Sequence, residues 1–336
     1  MPVTLQELAR RTGLSVSTVS RVLRGKENVS AEAAETVQSA LRLLGLAGAH
    51  AGGAPMIAVV VPRVRYFDLD AWKPLRRELF LHLFEAGFVG VTVTAEERPD
   101  PGRFRDFDLL GALVLGEEGK TAGAALEAAG VPVLRIAVRP PAGPGSILLD
   151  FDAGIDTAVR HLSQLGHRRI GMAVALGPDA GPRAAAFRRS AARRLHIEAT
   201  RAQAPVEQAG PGVPAGRQAA DALLAAGCTA IVSCGPALTL GAMQSAQLAG
   251  LSMPDQLSLL AIGEVPEPEV LSPAVSQVTF DWTEVATQAI DALTALAGRD
   301  ASGPLSGGAA RRGPQPLLQV APDLLLRSSA APIRQR

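Results

Sequence analysis

From Met56 onward, short apolar runs alternate with stretches of helical periodicity, and the alternation runs through twice. Ile57-Ala58-Val59-Val60-Val61 has the composition of a buried strand; a helix is expected over 72–86 and a strand over 88–94. Gly111-Ala112-Leu113-Val114-Leu115 predicts a strand, 121–129 a helix, Val131–Val138 and Ser146–Phe151 two further strands, and 153–165 a helix. A second series starts with a strand at Arg169–Ala175. It continues with a helix at 182–195, a strand near 197–202, a helix at 215–226, a strand at 229–234, a helix at 237–249 and a strand at 257–262. Repeated strand-then-helix order demands parallel sheets covered on both faces, because a crossover helix is what returns the chain to begin a parallel neighbour. Two such series predict an α/β protein with two doubly wound lobes.

The first 46 residues follow another rule. Thr4 and Glu7 form a capping box for a short helix whose apolar face is Leu5, Leu8 and Ala9. Thr12-Gly13-Leu14 supplies a turn, and Ser15 can cap a second helix. At 100° per residue, Val19, Val22 and Leu23 point into the packing, while Val16, Ser17, Ser20, Arg21 and Arg24 point out. Ser30 caps a third helix at about 31–44, with Val37, Ala40, Leu41 and Leu44 as its stripe. An outward face of small side chains and two arginines suits a DNA major groove, where small residues permit close approach and arginines reach phosphate or guanine. An ordinary helical hairpin with a solvated arginine face shares the same periodicity.

Leu14-Ser15-Val16-Ser17-Thr18-Val19-Ser20-Arg21-Val22-Leu23 resembles the helix-turn-helix signature of the lactose-repressor (LacI) family of bacterial transcription regulators. The similarity continues through Asp150-Phe151-Asp152-Ala153-Gly154, through Leu165-Gly166-His167-Arg168-Arg169-Ile170-Gly171, and through Gln277-Val278-Thr279-Phe280-Asp281. The resemblance implies a three-helix headpiece followed by a two-lobed effector domain like periplasmic sugar-binding proteins, with a ligand cleft between the lobes. On that reading residues 1–46 are the headpiece, 47–56 a linker and 57–336 the effector and dimerisation domain. Lobe 1 takes about 57–151 and 279–316, and lobe 2 about 152–278 and 317–330. Crossings between the lobes are expected near 150–154, 276–282 and 315–320. The linker holds three glycines in the ten residues from Leu46 to Pro55, which disfavours the hinge helix usual in the family.

Function follows the resemblance. It implies a regulator that binds double-stranded operator DNA as a homodimer and answers to a small molecule, most naturally sugar-like. The expected DNA contacts are Thr4, Ser15, Val16, Ser17, Thr18, Ser20, Arg21, Arg24 and Lys26. In the cleft, Tyr66, Phe67, Asp68 and Asp70 follow the first strand; rings suit sugar faces and carboxylates suit hydroxyl pairs. Phe67 and Trp72 as core and Asp68 as a helix cap is the plainer alternative. Arg183 with Phe187 matches the family's Arg-x-x-x-Phe element, whose arginine faces the effector; a surface arginine beside Arg188 and Arg189 is the plainer alternative. Glu264 and Trp282 complete the expected effector set. The family usually carries Asn-Asp and Gly-Phe-Asp-Asp where this chain has Gly235-Pro236 and Ala261-Ile262-Gly263-Glu264. The effector could therefore be an unusual sugar, a phosphorylated metabolite or nothing. A small-molecule binding protein with a degenerate headpiece is the rival reading.

Bulk properties narrow the classes. Net charge is +1, with 33 basic and 32 acidic side chains, so the chain is not a polycation. The headpiece carries six of the basic and four of the acidic residues, net +2, a modest electrostatic bias toward phosphate. Cys228 and Cys234 flank an apolar run without His or Asp at metal-ligand spacing, so no metal, cofactor or disulfide is expected. No apolar run reaches about 18 residues, and the chain opens directly on the headpiece, which predicts a cytoplasmic protein without a membrane span. No catalytic set or phosphate loop is present in the sequence, so no enzyme activity is expected.

Overall fold

The computed structural model describes residues 5–23, 30–43, 54–62, 72–95, 109–117, 119–139, 145–196, 204–298 and 317–333. The headpiece has three helices, α1 (Leu5–Thr12), α2 (Val16–Leu23) and α3 (Ala31–Leu43). Gly13 turns the chain between α1 and α2 at φ +69°, a conformation glycine adopts without strain. Ala9, Val19, Val22 and Val37 form the small core, with Leu14 and Ala34 packed against it. The third helix is capped as its sequence predicts, the Ala33 amide donating to Ser30 Oγ at 3.2 Å. The Thr4–Glu7 capping box and the glycine-rich linker fall outside the described residues.

Two six-stranded sheets follow. The first lobe contains β1 (Met56–Val61), α4 (Lys73–Glu85), β2 (Val89–Thr94), β3 (Leu109–Leu115), α5 (Lys120–Ala128), β4 (Val133–Ala137) and β5 (Ser146–Leu149). The chain then crosses. The second lobe contains α6 (Phe151–Gln164), β6 (Ile170–Ala175), α7 (Ala180–Leu195), β7 (Val206–Ala209), α8 (Val213–Ala225), β8 (Ala230–Cys234), α9 (Pro236–Leu248), β9 (Ser258–Ile262) and β10 (Ser276–Thr279). It crosses back into α10 (Trp282–Leu296), which packs on α4, β3 and β4. The last two strands are β11 (Leu318–Val320) and β12 (Asp323–Leu325).

The strand orders are β11-β5-β4-β3-β1-β2 and β12-β10-β9-β8-β6-β7. Among the described residues, all pairings are parallel except β10 with β12. Central strands such as β1, β3 and β8 are buried along almost their whole length, as helices on both faces require.

One expectation shifts. Residues 318–320, assigned to the second lobe from sequence, pair with β5 of the first sheet, so the third crossing falls at Ala321-Pro322. The strand near 197–202 falls outside the described residues. Among the described residues, Val206–Ala209 is the strand on the outer side of β6, held in register Met172↔Val206. All three crossings lie close together: a Cβ on Gly154 would stand 3.2 Å from both Pro322 Cγ and Val278 Cγ1.

Candidate functional sites

The headpiece presents a polar face on α2. The Thr18 amide donates to Ser15 Oγ at 3.0 Å, which satisfies one of the free donors at the helix start. The same hydroxyl shares 2.8 Å hydrogen bonds with Ser17 Oγ and Thr18 Oγ1. Ser15, Ser17 and Arg21 are exposed, Thr18 is half-buried, and Val16 is 44% exposed, whereas Val19 is fully buried. The inward valines thus fix the helix while its outward side stays open. Ser20 lies in α2, but its side chain is outside the described set, as are Thr4, Arg24 and Lys26.

The second constellation lies where the lobes meet. Each of the first two crossings opens a helix with the same device. Asp150 accepts from the Ala153 amide at 2.9 Å and caps α6; Asp281 accepts from the Glu284 amide at 3.0 Å and caps α10. The residue after each cap is aromatic, Phe151 in one case and Trp282 in the other. Phe280 sits between them, with ring centroids 5.0 Å from Phe151 and 5.4 Å from Trp282, both pairs tilted by 58°. Such tilted pairs favour ring edge against ring face.

Arg183, on the first turn of α7, places its guanidinium carbon 4.6 Å from the Phe151 ring centroid. Asp179, four residues earlier, lies 3.9 Å from Arg183 Nη2. From the first lobe, Arg139 donates to the Pro178 carbonyl at 3.0 Å and lies 3.6 Å from Asp179 Oδ1. Glu264 follows β9 and is half-buried. Burial pushes its carboxyl above the usual range. The positive charge of Arg77 and the nearby Trp282 indole oppose that rise, and Glu78 and Glu269 add to it.

Among the described residues, four buried side-chain polar atoms lack a hydrogen-bond partner: Asp179 Oδ1, Arg183 Nε, Thr279 Oγ1 and Trp282 Nε1. All four belong to this junction. A buried polar atom without a hydrogen bond costs about 1–3 kcal/mol, and two of these four keep a charged neighbour, Asp179 Oδ1 beside Arg139 and the Trp282 indole beside Glu264. The four comprise one acceptor, two N–H donors and one hydroxyl that can do either. With three aromatic rings alongside, that set complements a molecule bearing several hydroxyls and an apolar face.

Of the expected effector residues, Arg183, Glu264 and Trp282 come together here. Tyr66, Phe67, Asp68 and Asp70 lie outside the described residues. At Gly235-Pro236 the strand end turns inward on itself: Ser233 and Thr239 share a 2.8 Å hydrogen bond, and Thr239 donates to the Gly235 carbonyl at 3.0 Å. Sequence reasoning missed Phe151, Asp179, Arg139 and Thr279. The Asp179–Arg183 spacing of four on a helix was a readable signal.

The remaining chemistry-bearing residues are structural. Burial pushes the Cys228 and Cys234 thiols up to about 11, so neither is a ready nucleophile. Buried His167 donates from Nε2 to the Ala331 carbonyl at 3.1 Å and meets Thr229 at 2.9 Å through Nδ1, tying the C-terminal segment to the second lobe. No group of His, Cys, Asp and Glu among the described residues is arranged to hold a metal. No described helix is long and apolar enough to cross a membrane.

Residues 4–46 match the family model for bacterial regulatory proteins of the lacI family, and residues 159–329 match that for a periplasmic binding protein-like domain. The chain belongs to the lacI family of bacterial regulators. Among curated relatives, the HTH-type transcriptional regulator MalR of Streptomyces coelicolor is 27% identical over 294 residues, covering 79% of this chain and 82% of the relative. An uncharacterized HTH-type transcriptional regulator from the aml 5′ region of Streptomyces limosus is 28% identical over 328 residues, 86% of each chain. In fold, this LacI-family regulator resembles the lac repressor dimer bound to operator and the anti-inducer ONPF, with a TM-score of 0.66 at 22% identity over 98% of this chain and 100% of the other. It also resembles the CelR–cellobiose complex, with a TM-score of 0.63 at 22% identity over the same shares.

Proposed function

We propose that this LacI-family regulator binds a pseudo-palindromic operator as a homodimer and that a sugar-like molecule, held between the lobes, controls the binding. Residues 1–46 serve as the DNA-binding unit, 47–56 as the linker and the two lobes as the effector unit. Val16, Ser17 and Arg21 contact base edges; Ser15, Ser20, Arg24 and Lys26 contact phosphates, with Thr4 and Thr18 beside them. The single observation that carries the DNA reading is the open polar face of α2 set against its buried valines.

The four buried polar atoms without a hydrogen bond and the three rings at the junction support a hydroxyl-rich ligand, as do relatives solved with cellobiose and ribose. Arg183, Glu264 and Trp282 take its hydroxyls, and Tyr66, Phe67, Asp68 and Asp70 border it from the first lobe. Because both ligands act on one lobe arrangement, operator and effector alter each other's affinity by the same factor. Leu81 and Phe84, three residues apart on α4, are 51% and 72% exposed, and Leu248 and Val270 of the second lobe are also open. These apolar residues support a second copy of the chain as the partner, which spaces the headpieces about one DNA turn apart. The protein works in the cytoplasm by binding, without catalysis, in keeping with relatives that are transcriptional regulators.

The test is a mobility shift on the chain's own upstream DNA, with and without a panel of sugars. Ser17→Ala with Arg21→Ala should weaken specific binding by about 2–4 kcal/mol, or roughly 30- to 1000-fold, while circular dichroism stays unchanged. Undiminished binding by the double variant would place the DNA contact elsewhere.

A further inference from the structure

The lobes are joined by more than their three crossings. Arg139, two residues past β4, is held on the first lobe by Glu117, whose Oε2 lies 3.7 Å from Arg139 Nη2. The same guanidinium reaches the second lobe. Nη1 donates to the Pro178 carbonyl at 3.0 Å and Nε lies 3.6 Å from Asp179 Oδ1. Asp179 faces Arg183 at 3.9 Å, so Glu117, Arg139, Asp179 and Arg183 form a row of alternating sign across the junction. Other pairs stay within one lobe: Arg135 with Glu127 in the first, and Arg189 with Asp152 and Arg194 with Asp156 in the second.

We propose that Arg139 is an interlobe latch and that Asp179 is the residue through which a ligand releases it. The two contacts to Asp179 are longer than hydrogen bonds, and its buried Oδ1 has no hydrogen-bond partner. A hydroxyl donating to Oδ1 satisfies that atom and competes with Arg139 for the carboxylate. Ligand entry then exchanges a contact that spans the lobes for one that does not, and the lobe angle follows. The release step rests on the effector reading above; the latch itself does not, and it is tested without any ligand.

The chain's only two tryptophans supply the readout. Trp282 is 7% exposed at the second crossing, and Trp72 lies against Gly116. In a Trp72→Phe background of the full-length protein, acrylamide quenching reports Trp282 alone. Arg139→Ala should raise the quenching, shifting the open-to-closed ratio by about two- to fivefold, the scale of a partly exposed ion pair. Arg139→Lys should recover part of the loss. Arg135→Ala, which removes a comparable pair inside one lobe, should leave quenching unchanged. Salt at about 1 M, where the screening length falls to roughly 3 Å, should raise quenching of the Arg139 protein without any substitution at the latch. Quenching insensitive to both salt and Arg139→Ala, or raised equally by Arg135→Ala, would overturn the latch. A latch that opens while no sugar alters either quenching or DNA binding would leave it standing and overturn the effector reading instead.

Discussion

The two lobes share one plan and are finished differently. Both wind six strands in the same order, and both are entered through an aspartate-capped helix that begins with an aromatic residue. Yet the sixth strand is parallel in the first sheet and antiparallel in the second. The connection forces this. The parallel strands of both lobes end at the junction, so β11 arrives there and β12, two residues on, leaves from it. For strands this short, direction comes from where the chain enters rather than from local preference.

Helix packing separates the lobes as well. In the second lobe α8 and α9 meet backbone to backbone: a Cβ on Gly241 would lie 2.4 Å from Arg217 N and 2.5 Å from Gly216 C. In the first lobe, α5 brings Gly123 only against a side chain, Val114 Cγ2, at 3.0 Å. Gly241→Ala should therefore cost about 3 kcal/mol, since neither backbone can yield, whereas Gly123→Ala should cost less than about 1 kcal/mol. Urea denaturation of the two variants decides it, and equal costs would erase the contrast.

The caps give a smaller difference. Asp281→Ala removes one capping bond and should cost about 1 kcal/mol. Asp150→Ala should cost about 2 kcal/mol, because Asp150 Oδ2 also accepts from Gln319 at 2.6 Å and so ties the first crossing to β11. Equal thermal shifts would show that the Gln319 contact adds nothing.

The smallest effect is confined to the second lobe. Burial alone would raise the Asp156 carboxyl. Hydrogen bonds from Arg194 and Ser190, with the charges of Arg194 and Arg193, outweigh it and hold the group at about 2. The unfolded chain binds this proton more readily than the folded one. The stabilisation is thus complete above about pH 4 and is lost as pH falls through about 2. After allowance for solvent screening it amounts to about 1 kcal/mol. Asp156→Asn should remove that acid-side loss, measured as the difference in denaturation midpoint between the variant and its parent from pH 5 to pH 2.

The layered plan was legible because buried parallel strands are written as unbroken apolar runs, as in Ile57–Val61 and Ala230–Cys234. Val206–Ala209 was not, since Val-Glu-Gln-Ala has little strand character of its own and owes its state to pairing with β6. Nor could sequence assign Leu318–Val320 to a sheet, because its partner lies some 170 residues earlier. Arg183 and Glu264 stood out through the resemblance. Arg139 did not, because its importance arises from a neighbour on the other lobe rather than from any pattern around it.

The place of β11 and β12 after every other described strand has a consequence for biosynthesis. Each sheet receives its edge strand from the same eight residues, 318–325. During translation neither lobe can be completed before this stretch leaves the ribosome, and then both are completed almost at once. The first lobe therefore waits, short of both α10 and β11, while α6 to β10 of the second are made.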